Sequence, residues 1–269
     1  MSSPLFFPSL IPELDRLFRI SGGKTVDPMY FIQQGIHVKE EAQCQIALSG
    51  PAGTGKSLLA LHFAAGFAAL HEEALVIYVS TDMSFQLAQQ NWDDFSLSKP
   101  NMVIQDRLFP FDPSWLSFPY VNQLTNADIG FSQLDWQEGI HSFKEEDSKT
   151  VHFIDFQKSA TGDDWHHLKK LLLQDISLAT HTFDKILLVI DAVEGLDAPE
   201  NSLHQDALRH SRRQRLAKLL EEASGLCCVV YTLEAEPRVD HIPEEEFVSD
   251  VVIRLNREPL GDSHRVTLE

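Results

Sequence analysis

The sequence is short of positive charge. Its 22 lysines and arginines stand against 40 aspartates and glutamates, which gives a formal net charge of −18 at pH 7. Because nucleic-acid affinity depends on lysine and arginine displacing counterions from phosphates, such a surface opposes binding to DNA, RNA or anionic lipid. One basic cluster remains, in the stretch RHSRRQR, with Arg209, Arg212, Arg213 and Arg215. We interpret it as the solvated face of an amphipathic helix, and DNA binding is the alternative.

Long apolar runs and cysteines are also scarce. No stretch reaches the roughly 18 apolar residues of a membrane-spanning helix, and the first residues lack the basic start of a secretory signal. The three cysteines, Cys44, Cys227 and Cys228, lie in apolar runs without CxxC spacing. Two adjacent cysteines on a strand point to opposite faces, so a disulfide framework is disfavoured and core packing is expected. We therefore expect a cytoplasmic protein without a membrane association.

What the sequence does contain is an alternation of short apolar runs with helical patterns. Strands are predicted at residues 45–49, 75–80, 151–156, 185–190 and 226–232, and helices at 56–70, 163–180 and 201–223. Residues 250–256 and 264–268 flank EPLGD, which is typical of a β-hairpin. The pattern predicts an α/β fold with a mainly parallel sheet, helices on both faces and an antiparallel C-terminal hairpin.

Two segments do not follow this alternation. Residues 1–40 carry several prolines and glycines and are predicted to form an N-terminal arm with only short helical pieces. Residues 41–269 form the main domain, which contains a poorly periodic, aromatic-rich insert at about 106–149. Two interpretations of the insert stay open: a functional lid or docking loop for a protein partner, or a loop clamped onto the core by its aromatic side chains.

The stretch GPAGTGKS satisfies the pattern G-x-x-x-x-G-K-[ST] and lies between a predicted strand and a predicted helix. Its glycines allow a tight turn with inward-facing N–H groups, and the helix N-terminus adds positive partial charge. The motif predicts a loop that binds the phosphates of ATP or a close relative, formed by Gly50, Pro51, Ala52, Gly53, Thr54, Gly55, Lys56, Ser57 and Leu58. Lys56 would reach the β- and γ-phosphates, and the Ser57 hydroxyl would ligate Mg²⁺.

Acidic residues at strand ends supply the other candidates. Asp191 ends the run ILLVID and is predicted to hold Mg²⁺ directly or through water, with Asp155 as the second choice. We call GPAGTGKS the P-loop and the strand before it the P-loop strand. Asp82 follows LVIYVS, a strand expected beside the P-loop strand, and is a candidate to orient or deprotonate the attacking water. The alternative is that STDMS begins a helix, with Asp82 or Ser84 as its cap. Thr232 and Glu234 are candidates to sense the γ-phosphate.

The chain resembles KaiC-like ATPases of the RecA superfamily over roughly two thirds of its length. The resemblance rests on the P-loop followed in order by YVSTD, LLVID, FVSDVVIRL and HRVTLE. The resemblance implies a RecA-like core, ATP as ligand, Mg²⁺ dependence and a homo-oligomeric ring or filament with nucleotide at the subunit boundary. KaiC-like proteins commonly have two glutamates where this chain has Asp82 and Met83. They also have a Lys-x-Arg element beyond the position of Glu269, so either the sequence continues or that trans-acting charge is missing.

Three functions follow from these patterns. The leading hypothesis is an ATPase whose nucleotide state controls assembly or partner binding. A nucleotide-dependent binding module that hydrolyses ATP slowly or not at all is the alternative, which the loss of the paired glutamates favours. The third is a recombinase-like, DNA-binding ATPase, which requires the arginines of RHSRRQR to face a central channel.

Overall fold

The structure is a computed structural model that describes residues 5–7, 9–11, 36–38, 44–100, 128–136, 140–156, 165–196, 205–235, 246, 248–260 and 263–268. The helices are α1 (Lys56–Leu70), α2 (Phe85–Asp94), α3 (Trp165–Ala179) and α4 (Gln205–Ala223). The strands are β1 (Leu5–Phe7), β2 (Ile36–Val38), β3 (Gln45–Gly50), β4 (Ala74–Ser80), β5 (Gly130–Gln133), β6 (Thr150–Asp155), β7 (Lys185–Asp191), β8 (Cys228–Glu234), β9 (Val251–Leu260) and β10 (Ser263–Leu268). None of the described helices is long and apolar enough to cross a bilayer.

The main sheet has the strand order β10-β9-β3-β8-β7-β4-β6-β5, and β1 pairs separately with β2. The seven strands from β9 to β5 in that order are parallel, which confirms the predicted α/β sheet. At one edge, β10 pairs antiparallel with β9. Because parallel strands end at the same edge of a sheet, the carboxyl ends of β3, β8, β7 and β4 lie next to one another near the start of α1.

The prediction that the strand before Asp82 lies beside the P-loop strand was wrong. That strand is β4, and β8 and β7 lie between it and the P-loop strand β3. Strand order depends on which apolar faces the helices cover after folding, and short apolar runs carry no information about it. Asp82 therefore approaches the loop between β3 and α1 from the far side of Asp191.

Apolar side chains cover both faces of the sheet, as a parallel sheet requires. One core cluster lies under α1 and α2, and the other under α3 and α4. Cys228 lies in the first cluster and Cys227 in the second, as expected for neighbours on a strand. In α4, Leu216 and Leu219 are buried, which fits an amphipathic helix for the RHSRRQR segment. The side chains of Arg209 and Arg212 lie outside the described residues.

Helix α1 is buried on all sides from residue 59 to residue 69. Apart from His62 and Gly66, these positions hold alanine, leucine and phenylalanine, so the helix has no polar face to turn towards water. On its outer side, β1 contacts α1, and Leu10 is fully buried in the same core cluster. The described part of the N-terminal arm therefore lies against the helix that follows the P-loop.

The apolar patterns did not identify α2 and β5, although STDMS indicated a helix start at the place where α2 begins. Helix α2 begins after Ser84, whose hydroxyl accepts the N–H of Leu87 at 3.4 Å. Strand β5 lies inside the predicted insert and pairs in parallel with β6 at the edge of the sheet. The Phe131 ring of β5 stacks on Trp92 of α2, with 4.8 Å between ring centroids. In residues 128–136 and 140–149, the insert is thus clamped onto the core, and residues 106–127 lie outside the described ones.

His152 on β6 is a buried histidine in this clamped region, with 7% of its surface exposed. Burial lowers the pKa of His152, the carboxylate of Asp147 offsets part of this effect, and the positive field of His141 adds to it. Its Nε2 lies 4.0 Å from Asp147 Oδ1, its Nδ1 lies 3.4 Å from Ser132 Oγ, and Phe143 packs edge-on against its ring. The folded protein therefore favours neutral His152.

We expect His152 to make the protein less stable in acid. The unfolded chain takes up the proton near the ordinary histidine pKa of about 6.5, whereas the folded chain takes it up only at lower pH. This contribution is complete above the unfolded-state pKa and is lost as the pH falls towards the folded-state value. The midpoint of urea unfolding should drop between about pH 7.5 and about pH 5.5, and His152→Gln should reduce that drop. The matched control is His181→Gln, at an exposed histidine; equal pH dependence in both variants would contradict the assignment.

Candidate functional site

The loop between β3 and α1 depends on glycine at three positions. Gly53 and Gly55 have φ angles of 74° and 88°, in the left-handed region that disfavours other residues. A Cβ atom on Gly50 would lie 2.3 Å from the carbonyl oxygen of Leu255 on β9, a distance that no real contact allows. Thr54 Oγ1 donates to the carbonyl of Pro51 at 2.8 Å and closes the turn. Helix α1 begins directly after this turn, so its first N–H groups face the loop. This arrangement binds anions in other proteins.

Lys56 is the first residue of α1, and its side chain folds over the loop. Its Nζ donates to the carbonyls of Gly50 and Pro51, both at 2.8 Å. Burial lowers the pKa of Lys56, and nearby carboxylates act in the opposite direction. These carboxylates, from the largest effect to the smallest, are Glu234, Glu194, Asp191 and Asp82. A single ammonium group thus lies within the field of four acidic side chains.

Asp191, at the end of β7, is 1% exposed and accepts hydrogen bonds from three hydroxyl groups. Ser57 Oγ donates to Oδ1 at 2.9 Å, and Thr232 Oγ1 donates to the same oxygen at 2.7 Å. Tyr78 OH donates to Oδ2 at 2.8 Å. Burial raises the pKa of Asp191, and these three hydrogen bonds act to lower it. The two residues predicted to hold Mg²⁺, Ser57 and Asp191, are therefore in direct contact.

Asp82 lies just past the end of β4 and is exposed. The N-cap of α2 is Ser84, one of the two caps considered from the sequence, and not Asp82. The preceding residue, Thr81, ties this end of β4 to the segment after β7: its N–H donates to the carbonyl of Asp191 at 2.6 Å, and its hydroxyl donates to the carbonyl of Ala192 at 2.8 Å. The negative field of Asp82 acts on both Lys56 and Asp191, which places its carboxylate beside the loop.

The other acidic candidates have different surroundings. Asp155 is buried at the end of β6 and accepts the N–H of Phe85 at 3.4 Å, so it lies at the start of α2. Thr232 was considered as a sensor of the γ-phosphate, and its hydroxyl bonds to Asp191. Glu234 donates its N–H to Glu194 Oε1 at 2.7 Å, which joins the end of β8 to the segment after β7.

Two residues of this site were missed in the sequence, Tyr78 and Glu194. Tyr78 is part of the run LVIYVS, and a strand buried on both faces has no alternation to show which side chain points to the site. Glu194 lies three residues after Asp191, in a short 3-10 helix (Val193–Leu196) that apolar periodicity does not reveal. An acidic residue so close to a strand-ending aspartate was the available indication.

The residues present fit a magnesium ion shared with a phosphate ligand. Among the described residues, no three His, Cys, Asp or Glu side chains are arranged to hold a metal by themselves. Mg²⁺ in proteins is commonly held by one or two carboxylates together with substrate phosphates and water. Ser57 and Asp191 supply a hydroxyl and a carboxylate at the start of α1, where a phosphate would bind.

The sequence matches no family model and no curated protein. The structure is similar to the crystal structure of the KaiC-like protein PH0186 from the hyperthermophilic archaeon Pyrococcus horikoshii OT3. The TM-score is 0.51 at 14% sequence identity, and the match covers 84% of this chain and 77% of that chain. The chain has a RecA-like fold. The RecA-like fold confirms the fold class expected from the sequence, and at this identity the similarity concerns the fold alone.

The contact between Gly50 and β9 leads to a stability prediction for the RecA-like core. Gly55→Ala should cost about 1–2 kcal/mol, because alanine enters the left-handed region without a clash. Gly50→Ala also forces a methyl group against the Leu255 carbonyl, so we expect a loss of about 3 kcal/mol or more, or no soluble protein. Urea unfolding of both variants measures the difference, and similar losses would argue against the close approach of β9.

Proposed function

We propose that this chain is a P-loop NTPase that binds ATP with Mg²⁺ and hydrolyses it, and that its nucleotide state controls oligomer assembly or partner binding. The observation that supports this most strongly is the direct contact of Ser57 with Asp191 beside Lys56, at the N-terminus of α1. A glycine-dependent loop, an ammonium group, a hydroxyl and a carboxylate meet there at the carboxyl ends of parallel strands.

In this proposal the phosphate chain lies in the loop and accepts hydrogen bonds from its N–H groups. Lys56 exchanges its two carbonyl partners, Gly50 and Pro51, for phosphate oxygens, which carry full negative charge and form stronger hydrogen bonds. Because Lys56 is held within the loop beforehand, the exchange requires only a short movement of its ammonium group.

Ser57 and Asp191 would hold the magnesium ion. Mg²⁺ supplies positive charge to the β- and γ-phosphate oxygens when it is bound. Tyr78 and Thr232 fix the orientation of the Asp191 carboxylate, so this ligand is positioned before any ion arrives. Ser57 lies in the first turn of α1 and is held in place by the buried residues 59–69 that follow it.

Asp82 is our candidate for the group that orients or deprotonates the attacking water, since it is exposed beside the loop. A second function, an ATP-dependent binding module with slow or no hydrolysis, is favoured by Met83. This residue replaces the second glutamate expected from KaiC-like proteins, and its side chain is buried with 6% exposed. Met83 therefore contributes no polar group to the site.

We further propose a homo-oligomer with nucleotide at the subunit boundary, in the reducing cytoplasm. The three cysteines are buried and free, which is compatible with that compartment. A protein partner reached through the aromatic insert also remains a proposal. The net charge of −18 and the buried Leu216 and Leu219 of α4 weigh against a DNA-binding ATPase.

Lys56→Ala should weaken Mg²⁺-ATP binding about tenfold or more, because it removes charge-assisted hydrogen bonds to phosphate. Isothermal titration calorimetry measures the affinity, and Lys170→Ala on α3 removes an exposed lysine as the control. Hydrolysis is then measured across protein concentrations. Specific activity that rises with concentration and disappears in Lys56→Ala would support an assembling ATPase. ATP affinity equal in wild type and Lys56→Ala would overturn the proposed site.

Asp82→Asn should reduce the rate of ATP hydrolysis about a hundredfold or more if Asp82 acts on the attacking water. ATP affinity should stay the same or rise, because the substitution removes a negative charge near the phosphates. Asp94→Asn, an isosteric change at an exposed position of α2, is the control. A wild-type rate no higher than that of Lys56→Ala, despite measurable ATP binding, would instead favour the binding module.

A further inference from the structure

Strand β9 continues past the end of the P-loop strand and runs along the loop. Residues 251–254 of β9 pair with residues 46–49 of β3, and β3 then turns into the loop while β9 goes on. The Leu255 carbonyl lies against Gly50, and a Cβ atom on Gly53 would lie 3.8 Å from Arg257 Nη2. The guanidinium group of Arg257 is therefore beside the middle of the phosphate-binding loop.

We propose that Arg257 is a further phosphate-binding residue of this site, which donates from its guanidinium group to the phosphate chain of the bound nucleotide. This inference rests on the proposed nucleotide-binding function and adds a second cation to Lys56. The nucleotide meets both cations within one chain, whatever a neighbouring subunit contributes.

The two arginines at this end of β9 differ in their pairing. Arg254 is neutralised by Glu246, whose side chain is 2% exposed; the Nη2–Oε2 distance is 2.5 Å, and Nε also donates to Oε2 at 3.1 Å. Arg257 is exposed and makes no salt bridge with any of the described residues. Its charge is therefore available to an anion in the loop.

The positive charge of Arg257 matters for phosphate binding because the surroundings of the loop are acidic. Lys56 lies in the field of four carboxylates, which also repel the phosphates of an incoming nucleotide. An arginine is suited to this task because its planar group presents several N–H donors to phosphate oxygens and stays ionised. A paired strand position holds the side chain more firmly than a loop position would, and Arg257 is paired with Val266 of β10.

The test compares Arg257→Gln, Arg257→Lys and the control Lys170→Gln, which removes the same charge from an exposed position on α3. Dissociation constants are measured by calorimetry for Mg²⁺-ATP, Mg²⁺-ADP and adenosine. We expect Arg257→Gln to weaken Mg²⁺-ATP binding about tenfold or more, Arg257→Lys to weaken it less, and Lys170→Gln to leave it unchanged. Adenosine binding should not change in any variant, and the thermal midpoint of Arg257→Gln should match that of the wild type.

Failure of this inference can be separated from failure of the proposed function. If the wild type binds Mg²⁺-ATP no better than Lys56→Ala does, the proposed function fails, and the role of Arg257 fails with it. If Lys56→Ala loses binding while Arg257→Gln binds like Lys170→Gln, the site stands and Arg257 has no part in it. An equal loss of affinity for adenosine and Mg²⁺-ATP in Arg257→Gln would overturn the phosphate contact.

Discussion

The carboxylate of Asp191 accepts hydrogen bonds from three elements of the fold: Ser57 in α1, Tyr78 in β4 and Thr232 in β8. Burial raises the pKa of this group, and the three hydrogen bonds act in the opposite direction because they favour the charged form. The strand order β8-β7-β4 makes the three bonds possible, because it places β7 between the two strands that supply donors. The remaining features of the site are arranged around this carboxylate.

The site is acidic, in a protein that is itself acidic. Glu234, Glu194, Asp191 and Asp82 all act on Lys56, and the chain carries a net charge of −18. A free polyphosphate approaches such a surface against a repulsive potential. A nucleotide that arrives complexed with a divalent cation carries less negative charge, so under the proposed function the ion contributes to recognition as well as to catalysis.

The sequence predicted the parts of this molecule that local pattern determines. The P-loop has a motif with fixed spacing, Asp191 ends an apolar run, and the central strands of the parallel sheet, such as β7, are apolar on both faces. For α2 the sequence indicated only a helix start at STDMS, because Ala88 and Trp92 are its only buried residues. Strand β5 was missed because GFSQ is short and partly exposed.

Other features of the site depend on tertiary structure. Tyr78 and Arg257 reach the loop only after strands distant in sequence become neighbours, and the separation of β4 from β3 has the same origin. A motif specifies a loop, whereas the side chains that surround the loop are selected by the order of the strands.

The burial of α1 on all sides limits how this molecule can respond to a ligand. A helix enclosed in a close-packed core cannot pivot or slide without opening cavities, so it serves as a fixed support. Motion linked to the site is then left to exposed side chains at its border, such as that of Asp82. A conformational change at the loop would therefore involve the edge of the sheet and leave the core around α1 unchanged.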